Sequence, residues 1–473
     1  MIPYRFDRTA EAAGLQEQFA TLAAGETSGV EVSVAGRLML RRTMGKLAFG
    51  TLQDSGGRIQ AMAQAGVTDR FEEFCSLHLG DWIGARGEVV RTKRGELSVL
   101  VAEWVLLAEA RRQFPDKWHG VRDIDTRYRQ RYVDLWVSDE SRKAFLLRSR
   151  MVALVRRWLE HRGFVEVETP MLQSVAGGAD ARPFVTHHNA FDLDLYLRIA
   201  IELHLKRLVV GGFERVFEIG RVFRNEGISP RHNPEFTMLE LYQAYADYHD
   251  MMELTEQLVS HLATELCGGT RIAYAGRDLD LTPPWRRARL LDLVAEHAGV
   301  TLHPSMPVEE LRVLAKGLGV EVEPGWGPGK LVLEVYEKTT EAELWGPVFV
   351  LDYPKEVSPL ARAHRDDPEL VERFEPVVAG RELGNAFSEL VDPDEQRARF
   401  VEQAERKDVP VDDDYLRALD YGLPPTGGLG IGIDRLAMLL SGAENIRDVL
   451  LFPTLRPEAP APRPSGGSGE SSS

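Results

Sequence analysis

Two cysteines, Cys75 and Cys267, are too few and too far apart for a disulfide framework or a thiolate metal site. The expectation is two inert buried thiols in a reducing compartment, the cytoplasm. No run of about 18 apolar residues occurs, so no membrane-spanning helix is expected. The stretch Met1 to Arg8 lacks the charged and apolar regions of a secretory leader. Positive charge is not in excess either. The net charge of −16 excludes a chain-wide basic footprint for nucleic acid. Both common phosphate loops are missing. Gly325 to Lys330 approaches the first, but Leu331 follows where Ser or Thr is needed, and no GxGxxG opens a helix.

What is present changes along the chain. Residues 8–24 read as a short amphipathic helix. From Val30 to about Leu107 the pattern turns to short strands broken by Gly and Asp: VEVSVAGRLML, LAFGTLQD, GRIQAMA, DWIGARGEVV and ELSVLVAEWVLL. Five such strands predict an OB-fold β-barrel. Basic residues gather on it at Arg37, Arg41, Arg42 and Lys46, and again at Arg86, Arg91, Lys93 and Arg94, where they could face a phosphate backbone. The expected organisation is a helix and barrel over 1–110, a linker over 111–140, an α+β domain on an antiparallel sheet over 141–457, and a disordered Pro/Gly/Ser tail over 458–473.

Three segments of the second domain carry chemistry. The first is a helix, Lys143 to His161, followed by RGFVEVETPML. By itself it is a helix packed on a strand. The second, residues 217–245, reads strand, polar loop, strand. A period of two puts Phe236, Glu240 and Tyr242 on one face, and Arg224 closes the first strand. An aromatic, a carboxylate and a phenol on one face make a poor core and a good binding floor. An arginine fork matches phosphate or carboxylate. The third, GLGIGIDRLAMLL over 428–440, puts Arg435 in the first turn of a helix. The dipole disfavours a cation there unless an anion sits beside it, and a nucleotide phosphate would serve.

In this order the segments resemble the three motifs of class II aminoacyl-tRNA synthetases. Longer stretches resemble the lysyl-tRNA synthetase family of bacterial type: RYRQRYVDL (127–135), GGADARPFVTHHNAFDLDLYLRIA (177–200), RNEGISPRHNPEFTMLELYQAY (224–245), RFEPVVAGRELGNAFSEL (373–390) and ALDYGLPPTGGLGIGIDRL (418–436). The resemblance covers residues 3 to about 457. Three departures stand out. Ile201 replaces a usual proline, the linker 111–120 is altered, and the stretch before Asp412 is shortened.

The resemblance implies a lysine–tRNA ligase that uses ATP and Mg²⁺ and acts as a homodimer in the cytoplasm. A specialised paralogue, or a ligase acting on a protein, is the alternative. By the same resemblance Arg224 holds the α-phosphate and Arg435 the γ-phosphate. Phe236 stacks on adenine, with Glu226, His232 and Asn233 near the nucleotide, and Glu375 and Glu382 carry the metal. Gly178, Glu202, Glu240, Tyr242, Asn385, Phe387 and Glu389 form the lysine pocket. Arg37, Phe49 and Gln60 read the anticodon of tRNA. Charge supports the pocket: free lysine has a cation at each end, and a buried unpaired ammonium is costly.

Overall fold

The structure is a computed structural model that describes residues 2–112, 121, 123–407 and 410–458. Most of the altered linker (113–120), part of the stretch before Asp412 (408–409) and the expected disordered tail (459–473) lie outside the described residues. The chain divides into two compact units, Met1–Ser138 and Asp139–Ser473.

The first unit is a closed five-stranded barrel. Its strands are β1 (Thr27–Met44), β2 (Leu47–Gln53), β3 (Arg58–Gln64), β4 (Trp82–Arg91) and β5 (Leu97–Ala108), joined in the order β1-β2-β3-β5-β4. This is the OB-fold expected from the strand pattern. Alternation decides which way each residue points. Ala48, Leu52, Ile59, Ala61 and Ala63 fill the interior, while Phe49, Thr51, Gln60 and Met62 face outward and are half-buried. The first helix, α1 (Ala12–Gln18), is shorter than the expected 8–24. It has no side-chain cap and is held instead by Ala12 and Leu15 packed on the barrel, and by the Ala12 N–H donating to Asp54 at 2.8 Å. A short helix α2 (Phe71–Ser76) follows β3. The segment read as linker forms α3 (Ile124–Arg129) and α4 (Arg131–Val137) within this unit. Arg127 and the fully buried Arg131 both bind Asp134, at 3.0 and 2.7 Å, and Trp136 packs edge-on against Trp82.

The second unit is built on an eight-stranded, mostly antiparallel sheet. It opens with α5 (Asp139–Glu160) and β6 (Val165–Glu166). A small side sheet follows, β7 (Leu172–Gln173), β8 (Val185–His188) and β9 (Leu193–Leu197), then α6 (Glu202–Val210). The central hairpin is β10 (Arg215–Phe223) and β11 (Glu235–Ala244). After α7 (Tyr248–Cys267) come the hairpin β12 (Arg271–Tyr274) and β13 (Arg277–Asp280), and β14 (Arg286–Arg289). Helices α8 (Leu290–Ala298), α9 (Val308–Gly317) and α10 (Pro328–Thr339) precede β15 (Val348–Pro354), β16 (Leu370–Val377) and β17 (Gly384–Ser388). Last are α11 (Pro393–Lys407), α12 (Asp413–Leu419), β18 (Thr426–Gly432) and α13 (Ile433–Ser441). The sheet order is β14-β15-β16-β17-β18-β11-β10-β6.

The two faces of this sheet have different chemistry because its central strands alternate. Leu239, Leu241, Leu429 and Ile431 point into the core formed with α5, α7 and α13. Phe236, Met238 and Tyr242 point the other way, toward the cluster with α6 and α12. Both thiols depart from the expectation of burial: Cys267, at the end of α7, is exposed, and Cys75 is only partly buried.

Candidate active site

The outward face of β11 is the floor of the site. Residues Phe236, Met238, Glu240 and Tyr242 line up on it by strand alternation, as the sequence pattern requires. The neighbouring strand β18 pairs Gly430 with Glu240 and Gly428 with Tyr242. A Cβ on Gly428 would come within 2.0 Å of Glu389 Oε1 and 2.5 Å of the Tyr242 ring. Glycine is therefore needed there so that these two side chains can lie over the strand.

Three carboxylates meet at one end of the floor. Glu202 opens α6, Glu240 comes from β11, and Glu389 follows β17; all three are buried. Gly178 sits at their edge with φ +85°, and a Cβ there would touch those of Ala200 and Glu202. Glu240 accepts the Ile201 N–H at 2.9 Å and the Tyr242 hydroxyl at 3.3 Å. Burial, and then the charge of Glu202, push its pKa up to about 7. Lys206, one turn along α6 from Glu202, occupies the centre of the cluster. Its Nζ is 2.6 Å from Glu202 Oε1 and also contacts Glu389. Burial alone would lower the Lys206 pKa, but Glu202 and Glu389 outweigh it and hold the ammonium charged. Glu389 is pushed up to about 8, foremost by burial, with Lys206 opposing. The sequence reading missed Lys206. Its signal was the Glu202–Lys206 spacing of four at a helix start, which usually marks a solvated surface pair.

Asn385 and Phe387 reach the same face of β17 but meet an arginine. Arg373 donates to Asn385 at 2.9 Å and to Glu375 at 2.6 Å, and lies 5.8 Å from the Phe387 ring centre. It joins the amino-acid end of the site to the acidic end, another link that sequence reasoning did not find.

The other end is a cavity of about 290 Å³ lined by His232, Glu337, Glu341, Glu375, Glu382 and Arg435, among others. Glu375 and Glu382 face each other across a hairpin whose turn, Ala379-Gly380, has positive φ at both residues. Strict alternation would put Glu382 on the opposite face from Asn385. The pairing instead slips by one residue between Phe374↔Ala386 and Val377↔Glu382, with the extra residue on the Glu382 side. Burial, then repulsion by Glu382, push the Glu375 pKa up to about 7. The anion beside Arg435 in this structure is Glu382, whose carboxylate and backbone oxygen both accept from Nη1 at 2.9 Å. A phosphate is thus not needed to account for the position of Arg435.

Arg224 lies over the Phe236 ring at 5.1 Å, and its backbone N–H closes the motif loop on Pro234. Glu226 and His232 are exposed on that loop. His232 is held by Ser229 at 2.9 Å, and burial, then Arg435, lower its pKa. Asn233 is buried: its amide donates to the Glu235 carbonyl and accepts from Thr454 N–H, which pins the loop. Asp434, also missed, ties the three motif segments together. It accepts from Arg148 of α5 at 2.6 Å and from Thr237 N–H of β11 at 2.8 Å.

On the barrel, Phe49 and Gln60 share the outer surface of neighbouring strands, opposite Met62 and Thr51. Arg42 stands 6.0 Å over Phe49. Arg37 lies between Trp82 and Trp136, at 4.9 and 5.0 Å, and donates to the Gly80 carbonyl at 3.0 Å.

The chain matches two family models. Residues 123–456 match tRNA synthetases class II (D, K and N), and residues 32–107 match the OB-fold nucleic acid binding domain. It is 54% identical to a lysine–tRNA ligase of Nostoc punctiforme over 96% of this chain and 84% of that protein. It is 55% identical to a lysine–tRNA ligase of Synechococcus sp. strain CC9311 over 96% of each.

Proposed function

The chain belongs to the class II lysine–tRNA ligases, and we infer that its second unit carries out both half-reactions of that family, activation of lysine by ATP and transfer of the lysyl group to tRNA, while the barrel of the first unit reads the anticodon. The observation that carries this reading is the buried cluster of Glu202, Glu240 and Glu389, with Arg224 on the same floor. Both ends of free lysine are cationic and its carboxylate is not. Carboxylates therefore receive the two ammonium groups, and Arg224 receives the lysine carboxylate together with the α-phosphate. Activation is an in-line attack of that carboxylate on the α-phosphorus with departure of pyrophosphate. The protein's contribution is alignment and charge neutralisation. Phe236 stacks on adenine, and Arg435 binds the far phosphates. ATP–pyrophosphate exchange dependent on lysine, followed by charging of total tRNA, tests the reading; exchange with another amino acid in preference to lysine overturns it.

Glu375 and Glu382 fit a divalent cation. Two facing carboxylates, one raised to about 7 by burial and by the other's charge, line a cavity large enough for a phosphate chain. Mg²⁺ binds through one or two carboxylates plus phosphate oxygens, so the absence of a three-ligand cluster among the described residues is compatible with it. When bound, the ion neutralises triphosphate charge. Arg373 and Arg435 hold the two carboxylates toward the cavity.

A homodimer is supported by the exposed apolar side chains of β6 and the β7–β9 sheet: Val165, Met171, Leu172, Val185 and Phe191. Sedimentation should show a two-chain species at assay concentration, and a fully active single chain would exclude it. Cytoplasmic work fits two cysteines that are free in the structure. Among the described residues no helix is long and apolar enough to cross a membrane.

Two outcomes follow from the positions above. Phe49→Ala should weaken tRNA charging by about 1–3 kcal/mol, the value of one stacked base, and leave exchange unchanged. Equal losses in both half-reactions would make Phe49 a packing residue. Ile201→Pro keeps an apolar residue at the helix start but removes the N–H that Glu240 accepts. Leaving a buried acceptor short of a donor costs about 1–3 kcal/mol. The KM for lysine should rise accordingly and the KM for ATP should not. An unaltered lysine KM would mean that Tyr242 alone suffices to hold Glu240.

A further inference from the structure

We propose that Lys206 is a positioning residue that sets the charge of the amino-acid pocket: its ammonium offsets one of three buried carboxylates and leaves two for the two ammonium groups of the substrate. The inference rests on reading this pocket as the lysine site.

A structural ion pair in a protein interior needs one carboxylate per cation. Here the fully buried Lys206 is shared between Glu202, at 2.6 Å, and Glu389. The groups facing it are Glu202 on its own helix, Glu389 after β17 and the Tyr415 ring of α12 at 5.9 Å, and the two carboxylates in turn face Glu240 and Tyr242 of β11. Glu240 has only neutral hydrogen-bond donors, the Ile201 N–H and the Tyr242 hydroxyl. With all three carboxylates ionised, the pocket carries three negative charges and one positive charge. Two unbalanced buried charges are costly unless cations enter. Lysine brings two, while its carboxylate is taken by Arg224. An amino acid with one ammonium leaves a bare carboxylate behind. The open acceptor is at the far end: Glu389 Oε1 has no hydrogen-bond partner and lies over Gly428 beside Tyr242. Lys206 holds the other oxygen, so the side chain cannot turn away from that position.

The sign of the effect follows from charge. A nearby cation favours the ionised form of a carboxylate, so removing it lets Glu389 keep a proton to higher pH. In lysine-dependent exchange, Lys206→Met should lower kcat/KM for lysine roughly tenfold or more at neutral pH, mostly through KM. The acid limb of its pH profile should move upward, with the KM for ATP unchanged. Lys206→Arg keeps the charge and should keep the limb at the wild-type position, even where its rate falls. A folded Lys206→Met with the wild-type limb and lysine KM would overturn the proposal. A second measurement needs no variant. Norleucine has one ammonium and must bring a proton to balance the pocket. Its inhibition constant should fall as pH drops from about 8 to about 6, while the lysine KM rises. Parallel pH dependences of the two ligands would overturn the charge count even if no Lys206 variant folded. Failure of the unaltered enzyme to activate lysine at all would be a separate result, against the reading on which the inference rests.

Discussion

Glu389→Gln should lower kcat/KM for lysine by roughly 30-fold to several thousand-fold. The substitution keeps the shape and deletes the charge, and breaking a buried, hydrogen-bonded charge pair costs about 2–5 kcal/mol. ATP binding should barely change, because the nucleotide end is built from Arg224, Phe236 and Arg435. Discrimination against norleucine should shrink by a similar factor, since Glu389 is the group that an uncharged side chain fails to satisfy. Glu389 already contacts Lys206, which makes a competing outcome concrete. If that contact were its whole role, the substitution would lower the melting temperature and leave the lysine–norleucine ratio intact. Lys206 would still have Glu202 at 2.6 Å, so the helix α6 should stay in place. Measuring both amino acids in the exchange assay beside a melting curve separates the two outcomes.

Glu382→Gln should slow adenylate formation by roughly a hundredfold or more at low Mg²⁺, the scale of losing one preorganised electrostatic contact to the reacting phosphates. Two effects combine. The cation loses one of two carboxylates, and Arg435 loses its carboxylate partner while keeping the Glu382 backbone carbonyl. Excess Mg²⁺ should recover part of the rate, because weaker binding is overcome by mass action. A Mg²⁺ titration that superimposes on the wild-type curve would take Glu382 out of the metal site and leave it as the anchor of Arg435 alone. Glu375 offers a control: with Glu382 neutral, the repulsion that raises Glu375 disappears and its pKa should fall from about 7 toward the usual carboxylate range.

Much of the site was legible because strand alternation is local. Phe236, Glu240 and Tyr242 share a face through the geometry of one strand, and Leu239 and Leu241 share the other for the same reason. The glycines of β18 were visible as a pattern, but their purpose was not. It depends on Glu389, which approaches from a different strand. Glu382 shows the limit of alternation. A one-residue slip in pairing turns its side chain to the cavity, and slips are set by the partner strand and the turn. Asn233 reads as one residue of a polar loop, and only the structure shows its amide bonded to backbone groups at Glu235 and Thr454.

The sequence by itself determined the barrel and the sheet, the floor residues of β11, and the family, because alternation and long motif runs are written in consecutive residues. Only the tertiary structure decided how the charges are paired. Lys206 lies with Glu389, Arg373 with Asn385 and Glu375, Arg435 with Glu382, and Arg148 with Asp434. Arg37 likewise lies between Trp82 and Trp136. The physical reason is that a long charged side chain in a protein interior must end beside an opposite charge or a polar group. Which one it reaches is a matter of distance in space, and sequence separation carries almost no information about that distance.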